Sequence, residues 1–156
     1  MIENYSIAIR LLNIQNDKVA NSMLAPYGLT HAQFKVLNLL FARPDFSLRQ
    51  VDIEDFFQIS NPTVTGILSS LEKKELVTRI VNPRDSRSKL IGLTPKAEAM
   101  REPMHRIEKS LSARIDSVLD AGEREQFLSF LNRIIESQLT PEELYRYREP
   151  EEMQRK

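Results

Sequence analysis

Residues 60–94, SNPTVTGILSSLEKKELVTRIVNPRDSRSKLIGLT, decide the fold, because a helix with hydroxyls along one side runs directly into two apolar segments separated by a cationic turn. Asn61 suits an N-cap and Pro62 the first helical position, where its missing N–H has no partner to lose and its φ is already helical. Val64, Ile67, Leu68 and Leu71 recur at i, i+3, i+4 and i+7 and share one buried stripe. At about 100° per residue the opposite face collects Pro62, Thr65, Gly66, Ser69, Ser70 and Lys73, all small or polar. Such a face approaches a groove closely, and its hydroxyls donate or accept at base edges and phosphates alike. The same pattern also describes the solvated side of an ordinary surface helix.

The following segment narrows the choice. Residues 77–81 and 90–93 are β-branched or aliphatic runs of strand length, and Asn82-Pro83-Arg84-Asp85-Ser86 between them has turn chemistry. Arg79, Arg84, Arg87 and Lys89 outnumber the single acid Asp85, a local cationic footprint in a chain whose 22 basic and 22 acidic residues cancel. Arginine at a thin hairpin tip suits the negative potential of a narrow minor groove and also clamps phosphate. Helix and hairpin together predict a winged helix-turn-helix.

The run Ser60-Asn61-Pro62-Thr63-Val64-Thr65-Gly66-Ile67-Leu68, then Leu71-Glu72-Lys73-Lys74-Glu75-Leu76-Val77, then Asp85-Ser86-Arg87 with Leu93-Thr94, resembles the multiple antibiotic resistance regulator (MarR) family of bacterial transcription factors. The resemblance extends from Leu29-Thr30 to the last helices, and Asp-x-Arg followed by Leu-Thr is its most specific element. It implies that Arg87 enters the minor groove from the wing tip and that Asp85 braces it. It further implies that Pro62, Thr63, Thr65, Gly66, Ser69 and Ser70 lie on or near the recognition face. With Asn61, Lys73, Arg84 and Lys89 these residues form the expected DNA-contacting set. Many members carry arginine at the positions of Gly66 and Ser70, so fewer phosphate contacts are expected from this helix. Glu75 stands where glycine often ends the helix; a left-handed non-glycine residue is strained, so a different termination is expected.

Outward from this centre, Thr30 with Gln33 forms a potential capping box stapled by Leu29 and Phe34, and Ser47 with Gln50 repeats the device with Phe46 and Val51. The first helix directs Phe34, Leu37, Leu40 and Phe41 inward. The second, 48–58, precedes the recognition helix by a very short connection, the helix-turn-helix arrangement. Its acids Asp52, Glu54 and Asp55 would repel phosphate and are expected to point away from DNA.

Long helices flank this lobe. Between residues 2 and 25, Tyr5, Ile9, Leu12, Val19 and Met23 make one apolar stripe and Ile7, Leu11 and Ile14 a second, so more than one partner surface is required. Thr94-Pro95 opens a further helix continued by Met104, Ile107, Leu111, Ile115 and Val118, with a kink expected at Pro103. Asp120 and Glu123 mark the start of another, carrying Phe127, Leu128, Leu131, Ile134 and Ile135. These helices exceed what the small lobe can bury, which predicts a homodimer built from both ends of the chain. Thr140-Pro141-Glu142-Glu143 caps a short helix with Leu144, Tyr145 and Tyr147, and Arg148-Glu149-Pro150-Glu151-Glu152 reads as charged and loosely ordered.

The expected architecture is thus mainly α-helical with a small β-hairpin wing. A single domain spans 1–139, with the DNA-binding lobe at 29–94, dimerisation helices at 1–25 and 95–139, and a charged extension at 140–156. A length of 156 residues with 28% charged and 41% hydrophobic composition suits one globular domain. Neither a secretory signal nor a membrane span is expected at the amino terminus, where Arg10 interrupts a short apolar run, and a cytoplasmic location follows. Zero cysteines exclude disulfides and thiol switches.

No glycine-rich phosphate loop, serine elbow or paired-histidine motif supports an enzyme, and neither cofactor nor metal is expected. The function expected from the resemblance is a sequence-specific double-stranded DNA-binding regulator, a ligand-responsive repressor acting on a pseudo-palindromic operator. The resemblance also implies a small aromatic or anionic effector at the junction of lobe and dimerisation helices. Tyr27, His31, Met100, Met104 and His105 are its candidate contacts, the methionines as adaptable apolar surface and the histidines as polar handles. A winged-helix protein-interaction module remains the alternative, favoured by the absence of net charge.

Overall fold

The computed structural model describes residues 1–147; the expectation for Arg148 onward lies outside the described residues. Helix α1 (Tyr5–Leu24) starts where Asn4 Oδ1 accepts the Ile7 N–H at 3.1 Å. It passes through a 3-10 turn (Ala25–Tyr27) to Gly28, whose φ of 65° reverses the chain. Helix α2 (His31–Phe41) carries the expected Thr30/Gln33 capping box and buries Phe34, Val36, Leu37, Leu39 and Leu40.

The next start differs from expectation. Residues 48–49 do not open a helix: strand β1 (Leu48–Arg49) pairs with a later strand, and helix α3 (Gln50–Phe57) begins only after it. Pairing satisfies the Leu48 and Arg49 backbones, so Asp52 takes over capping, accepting the Arg49 N–H at 2.7 Å, while the Ser47 hydroxyl donates to the Pro44 carbonyl at 2.5 Å. After Gln58, left-handed at φ 52°, helix α4 (Asn61–Lys73) follows with Ser60 rather than Asn61 at the N-cap. Pro62 is therefore one position deeper than expected, still without an N–H to leave unpaired.

Val64, Leu68 and Leu71 of α4 are completely buried and Ile67 is half-buried. Each fully buried aliphatic side chain contributes roughly 1.5–3 kcal/mol, so the stripe decides which side of α4 faces out. The helix ends in the left-handed geometry the sequence argued against. Glu75 has φ 59°, its N–H donates to the Glu72 carbonyl at 2.9 Å, and the Leu76 N–H donates to the Leu71 carbonyl at 3.0 Å. These two bonds close a Schellman motif. Burial of Leu76 and Val77 immediately afterwards holds the strained residue in place.

Strands β2 (Val77–Asn82) and β3 (Asp85–Leu93) form an antiparallel hairpin, longer than expected because pairing persists to Asn82 and Asp85 across a bulge at Val81/Asn82. With β1 they make a three-stranded sheet in the order β1-β3-β2. Gly92 leaves room at the sheet for the Phe46 ring, which a Cβ there would force to move.

Beyond the sheet, Thr94 caps helix α5 (Pro95–Glu98), and the chain breaks at Ala99 and Met100 before helix α6 (Arg101–Asp116). The expected kink is thus a full break placed four residues ahead of Pro103, where a continuous helix would press the proline ring against the Ala99 carbonyl. Helix α7 (Ala121–Glu136) has the Asp120/Glu123 capping box, and helix α8 (Pro141–Tyr147) starts at Thr140. Met104 and Ile107 of α6 join the core, whereas no residue of α7 is buried. Tyr5, Leu12, Val118, Leu128 and Phe130 are each more than half exposed.

Replacing Glu75 with glycine should raise unfolding stability by about 0.5–1 kcal/mol, because relief of the left-handed penalty exceeds the added entropy of the unfolded chain. Gly92→Ala should lower it by about 1–3 kcal/mol through overpacking against Phe46. Urea unfolding of the three proteins measures both.

Candidate nucleic-acid interface

Burial of the Val64, Leu68 and Leu71 side of α4 leaves Asn61, Pro62, Thr63, Thr65, Gly66 and Lys73 exposed, with Ser69 and Ser70 half-buried. A Cβ built on Gly66 would meet nothing within 4 Å, so no protein neighbour demands glycine there. Ser70 is turned toward α2, where its hydroxyl accepts from Gln33 Nε2 at 2.9 Å.

The amino-terminal part of this face is wired to α3. Gln50 Nε2 donates to Thr65 Oγ1 at 2.8 Å and to Glu54 Oε1 at 3.0 Å, and Asn61 Nδ2 donates to the same Glu54 oxygen at 2.7 Å. Glu54 therefore points at the start of α4, contrary to the expectation that it faces away. Asp52 is engaged by Arg49, whose guanidinium donates to it at 2.8 and 3.0 Å. Burial raises the Asp52 pKa, but those bonds outweigh it and leave the carboxyl below its ordinary value. Gln50 and Glu54 were missed as site residues because their role depends on where α3 begins. That start is set by long-range pairing of residues 48–49, which local capping signals do not report.

The wing tip is tightly organised. Asp85 Oδ1 accepts the Arg87 backbone N–H at 3.1 Å and lies 3.4 Å from Arg87 Nε. Asn82 accepts the Arg84 N–H at 3.0 Å and donates to the Ser88 hydroxyl at 3.0 Å, which donates to the Asp85 carbonyl at 3.1 Å. Arg87 is thereby held by its backbone while its side chain stays 93% exposed. Arg84 and Lys89 are exposed beside it. Arg79 does not belong to this tip: it pairs with Glu72 at 2.9 Å and braces β2 against α4.

A separate open cleft of about 1050 Å³ lies between α2, α3 and α6, lined among others by His31, Lys35, Phe41, Phe56, Phe57, Arg101 and His105. Of the five effector candidates it brings together His31 and His105. Tyr27, Met100 and Met104 are elsewhere: Met104 is wholly buried in the core, Met100 packs against that core, and Tyr27 is 41% exposed in the 3-10 turn. His31 Nδ1 meets Asp17 Oδ1 at 2.5 Å, tying α2 to α1. Burial holds the His31 pKa below 6.5 against the opposing pull of Asp17, and the hydrogen bond from His31 chiefly holds Asp17 below 3.8. At neutral pH the pair is a neutral imidazole donating to a carboxylate. Among the described residues no group of three or more His, Asp or Glu side chains is placed to hold a metal ion, and no helix is long and apolar enough to cross a membrane.

A helix pair joined by a tight turn, an outward polar helix face and a hairpin with a held arginine define a winged helix-turn-helix protein. Residues 29–89 match the MarR family. The multiple antibiotic resistance protein MarR of Escherichia coli (strain K12) is 31% identical over 99 residues, covering 64% of this chain and 67% of that protein. The HTH-type transcriptional regulator MhqR of Bacillus subtilis (strain 168) is 30% identical over 117 residues, 74% of this chain and 77% of that one. Among solved structures, the S. aureus MepR–DNA complex is similar with a TM-score of 0.81 at 30% identity, covering 87% of this chain and 99% of that one. A mutant E. coli MarR complexed with operator DNA gives 0.73 at 27%, covering 83% and 91%. The chain belongs to the MarR family, and it is a transcription regulator rather than an enzyme.

Because the folded His31 pKa lies below the unfolded one, the unfolded chain takes up a proton first on acidification. The stability contributed by neutral His31 is complete above 6.5 and is lost as pH falls through the folded value, and the contribution of Asp17 is lost below 3.8. Urea midpoints should therefore fall between pH 7.5 and 5.5, and fall less in His31→Gln, whose side chain does not titrate.

Proposed function

We propose that this protein is a DNA-binding transcriptional repressor that acts as a homodimer on a pseudo-palindromic operator and is released by a small aromatic or anionic effector. The observation that carries the reading is the pairing of one outward polar face on α4 with an Arg87 fixed by its backbone and free at its guanidinium. The face suits the major groove and the arginine the adjacent minor groove or phosphate. The DNA complexes of MepR and MarR support it by likeness. The lobe at 29–94 performs the binding, and a cytoplasmic location gives it access to DNA.

Dimerisation follows from the apolar surface left over. Tyr5, Ile9 and Leu12 of α1 and Leu128, Phe130 and Ile134 of α7 remain outside the core, and a two-fold partner covers such surface on both copies at once. Helices within 1–25 and 95–139 supply that interface. The recognition helices would then meet successive major grooves about 34 Å apart. An effector in the cleft beside His31 and Arg101 releases DNA only if it prefers a conformation with another spacing, since equal affinity for two states shifts neither.

The absence of net charge favours a second reading, a winged-helix module that binds a protein. Salt dependence separates the two, because DNA binding displaces counterions. Arg87→Ala should weaken binding to specific and random duplexes and make the salt slope shallower by about one contact, and Asp85→Ala should do the same by loosening the wing. Unchanged affinity in Arg87→Ala would remove the wing from the mechanism. Sedimentation at micromolar concentration should find a dimer; a monomer refutes the two-fold arrangement. Titration of the protein–DNA complex with small aromatic acids should lower affinity reversibly, and no response across the panel refutes the effector.

A further inference from the structure

Two carboxamides, Gln50 and Asn61, and one hydroxyl, Thr65, meet at the amino-terminal edge of the outward face, and each of them donates or accepts according to how it is turned. Their common partner does not have that freedom. Glu54 offers only acceptors as a carboxylate, and a single oxygen of it receives both Gln50 Nε2 at 3.0 Å and Asn61 Nδ2 at 2.7 Å. Both amides must therefore present nitrogen inward. Gln50 spends its second N–H on Thr65 Oγ1 at 2.8 Å. With the Thr65 oxygen accepting from Gln50, its own O–H remains as a donor, and the Gln50 side-chain oxygen accepts no hydrogen bond among the described residues.

We propose that Glu54 is a positioning residue that sets the hydrogen-bond polarity of the recognition surface, making Gln50 an acceptor and Thr65 a donor toward DNA. In the usual pairing with adenine a glutamine uses its carbonyl and its N–H together. Gln50 lacks a free N–H, so it accepts from one exocyclic amine, that of adenine or cytosine. Thr65 donates to a neighbouring acceptor such as a purine N7 or thymine O4. Guanine and thymine present no major-groove amine to Gln50 and are disfavoured at its position. This assignment rests on the DNA-binding reading and adds to it which group on the base is read.

The test selects bound duplexes from a random pool with wild type, Glu54→Ala, Glu54→Met and Gln50→Ala, and measures each protein on its selected and on a random duplex. Alanine and methionine are both good helix formers, and thermal unfolding identifies any variant that does not fold; Gln50→Ala and the modified bases test the contact even then. Wild type should select adenine or cytosine at one strand position per half-site. Removing the amine alone, by purine in place of adenine or 2-pyrimidinone in place of cytosine, should cost about 2- to 12-fold in affinity, the worth of one neutral hydrogen bond. In Gln50→Ala that preference should fall to parity, and in each folded Glu54 variant it should change, because the freed Gln50 N–H restores the two-bond pairing with adenine and admits guanine and thymine acceptors, while affinity for the random duplex is not lowered. Since a structural role alone would weaken all duplexes together, this split identifies positioning. A folded Glu54 variant that keeps the wild-type preference, or a wild type indifferent to loss of the amine, overturns the assignment and leaves DNA binding standing. A wild type that binds no duplex at low salt overturns the DNA-binding reading itself.

Discussion

The fold hinges on the junction at residues 74–76, where α4 stops and the sheet begins within one left-handed residue. Two backbone bonds end the helix there, and the chain on either side is gripped by elements distant in sequence. Lys74 Nζ donates to the Gly28 carbonyl and to Gln33 Oε1, tying the end of α4 to the turn before α2. The Thr94 hydroxyl donates to the Glu75 carbonyl at 2.7 Å, and the Thr94 N–H donates to the Leu76 carbonyl at 3.1 Å. Lys96 Nζ reaches the Lys74 carbonyl at 2.8 Å. Recognition helix, wing and the start of α5 thus share one set of fixed atoms. An outward helix face and a hairpin tip can cooperate on a rigid duplex only if the angle between them is held, and this junction holds it.

The same constraint explains why a strained glutamate is tolerated. Left-handed backbone at a non-glycine residue costs about 1–2 kcal/mol, comparable with one fully buried aliphatic side chain. Leu71, Leu76 and Val77 around the junction are all buried. A slower turn would draw Leu76 out of the core, so packing overrides the local preference. Capping and propensity are local forces of about 1 kcal/mol, and the interior outweighs them wherever the two compete.

That balance also separates what was legible in the sequence from what was not. The Thr30/Gln33 and Asp120/Glu123 boxes and the Val64, Leu68, Leu71 stripe were readable, because each is a signal within one turn or one helix face and nothing distant opposes it. The start of α3 was not, because pairing of Leu48 with Ile91 joins residues far apart in sequence and removes Ser47 from its expected cap. The termination at Glu75 is not legible for the reason just given, and Arg79 belongs by sequence to the cationic segment but by structure to Glu72, with which it pairs at 2.9 Å. On the outward side of α4, periodicity placed Pro62, Thr65, Gly66 and Lys73 in solvent as found, but not the half-burial of Ser69 and Ser70, the latter held by Gln33 of α2. Donor and acceptor directions at the recognition surface were not legible either, since those depend on Glu54, a residue of another helix.

Charge behaves in the same way. A chain of zero net charge looks poorly suited to a polyanion, yet its acids near the lobe's exposed face are largely committed elsewhere. Asp52 serves Arg49, Glu72 serves Arg79, Glu54 receives two amides, and Asp85 holds the Arg87 backbone. The exposed ends at the wing are the cations Arg84, Arg87 and Lys89. Screening confines the influence of an exposed charge to about 10 Å at moderate salt, so distant acids on the long helices scarcely alter the potential at the tip. Within the DNA-binding reading, attraction to phosphate is therefore a property of the lobe's internal pairing. Breaking one pair, such as Arg79 with Glu72, would change the field at the groove as well as the stability of the sheet.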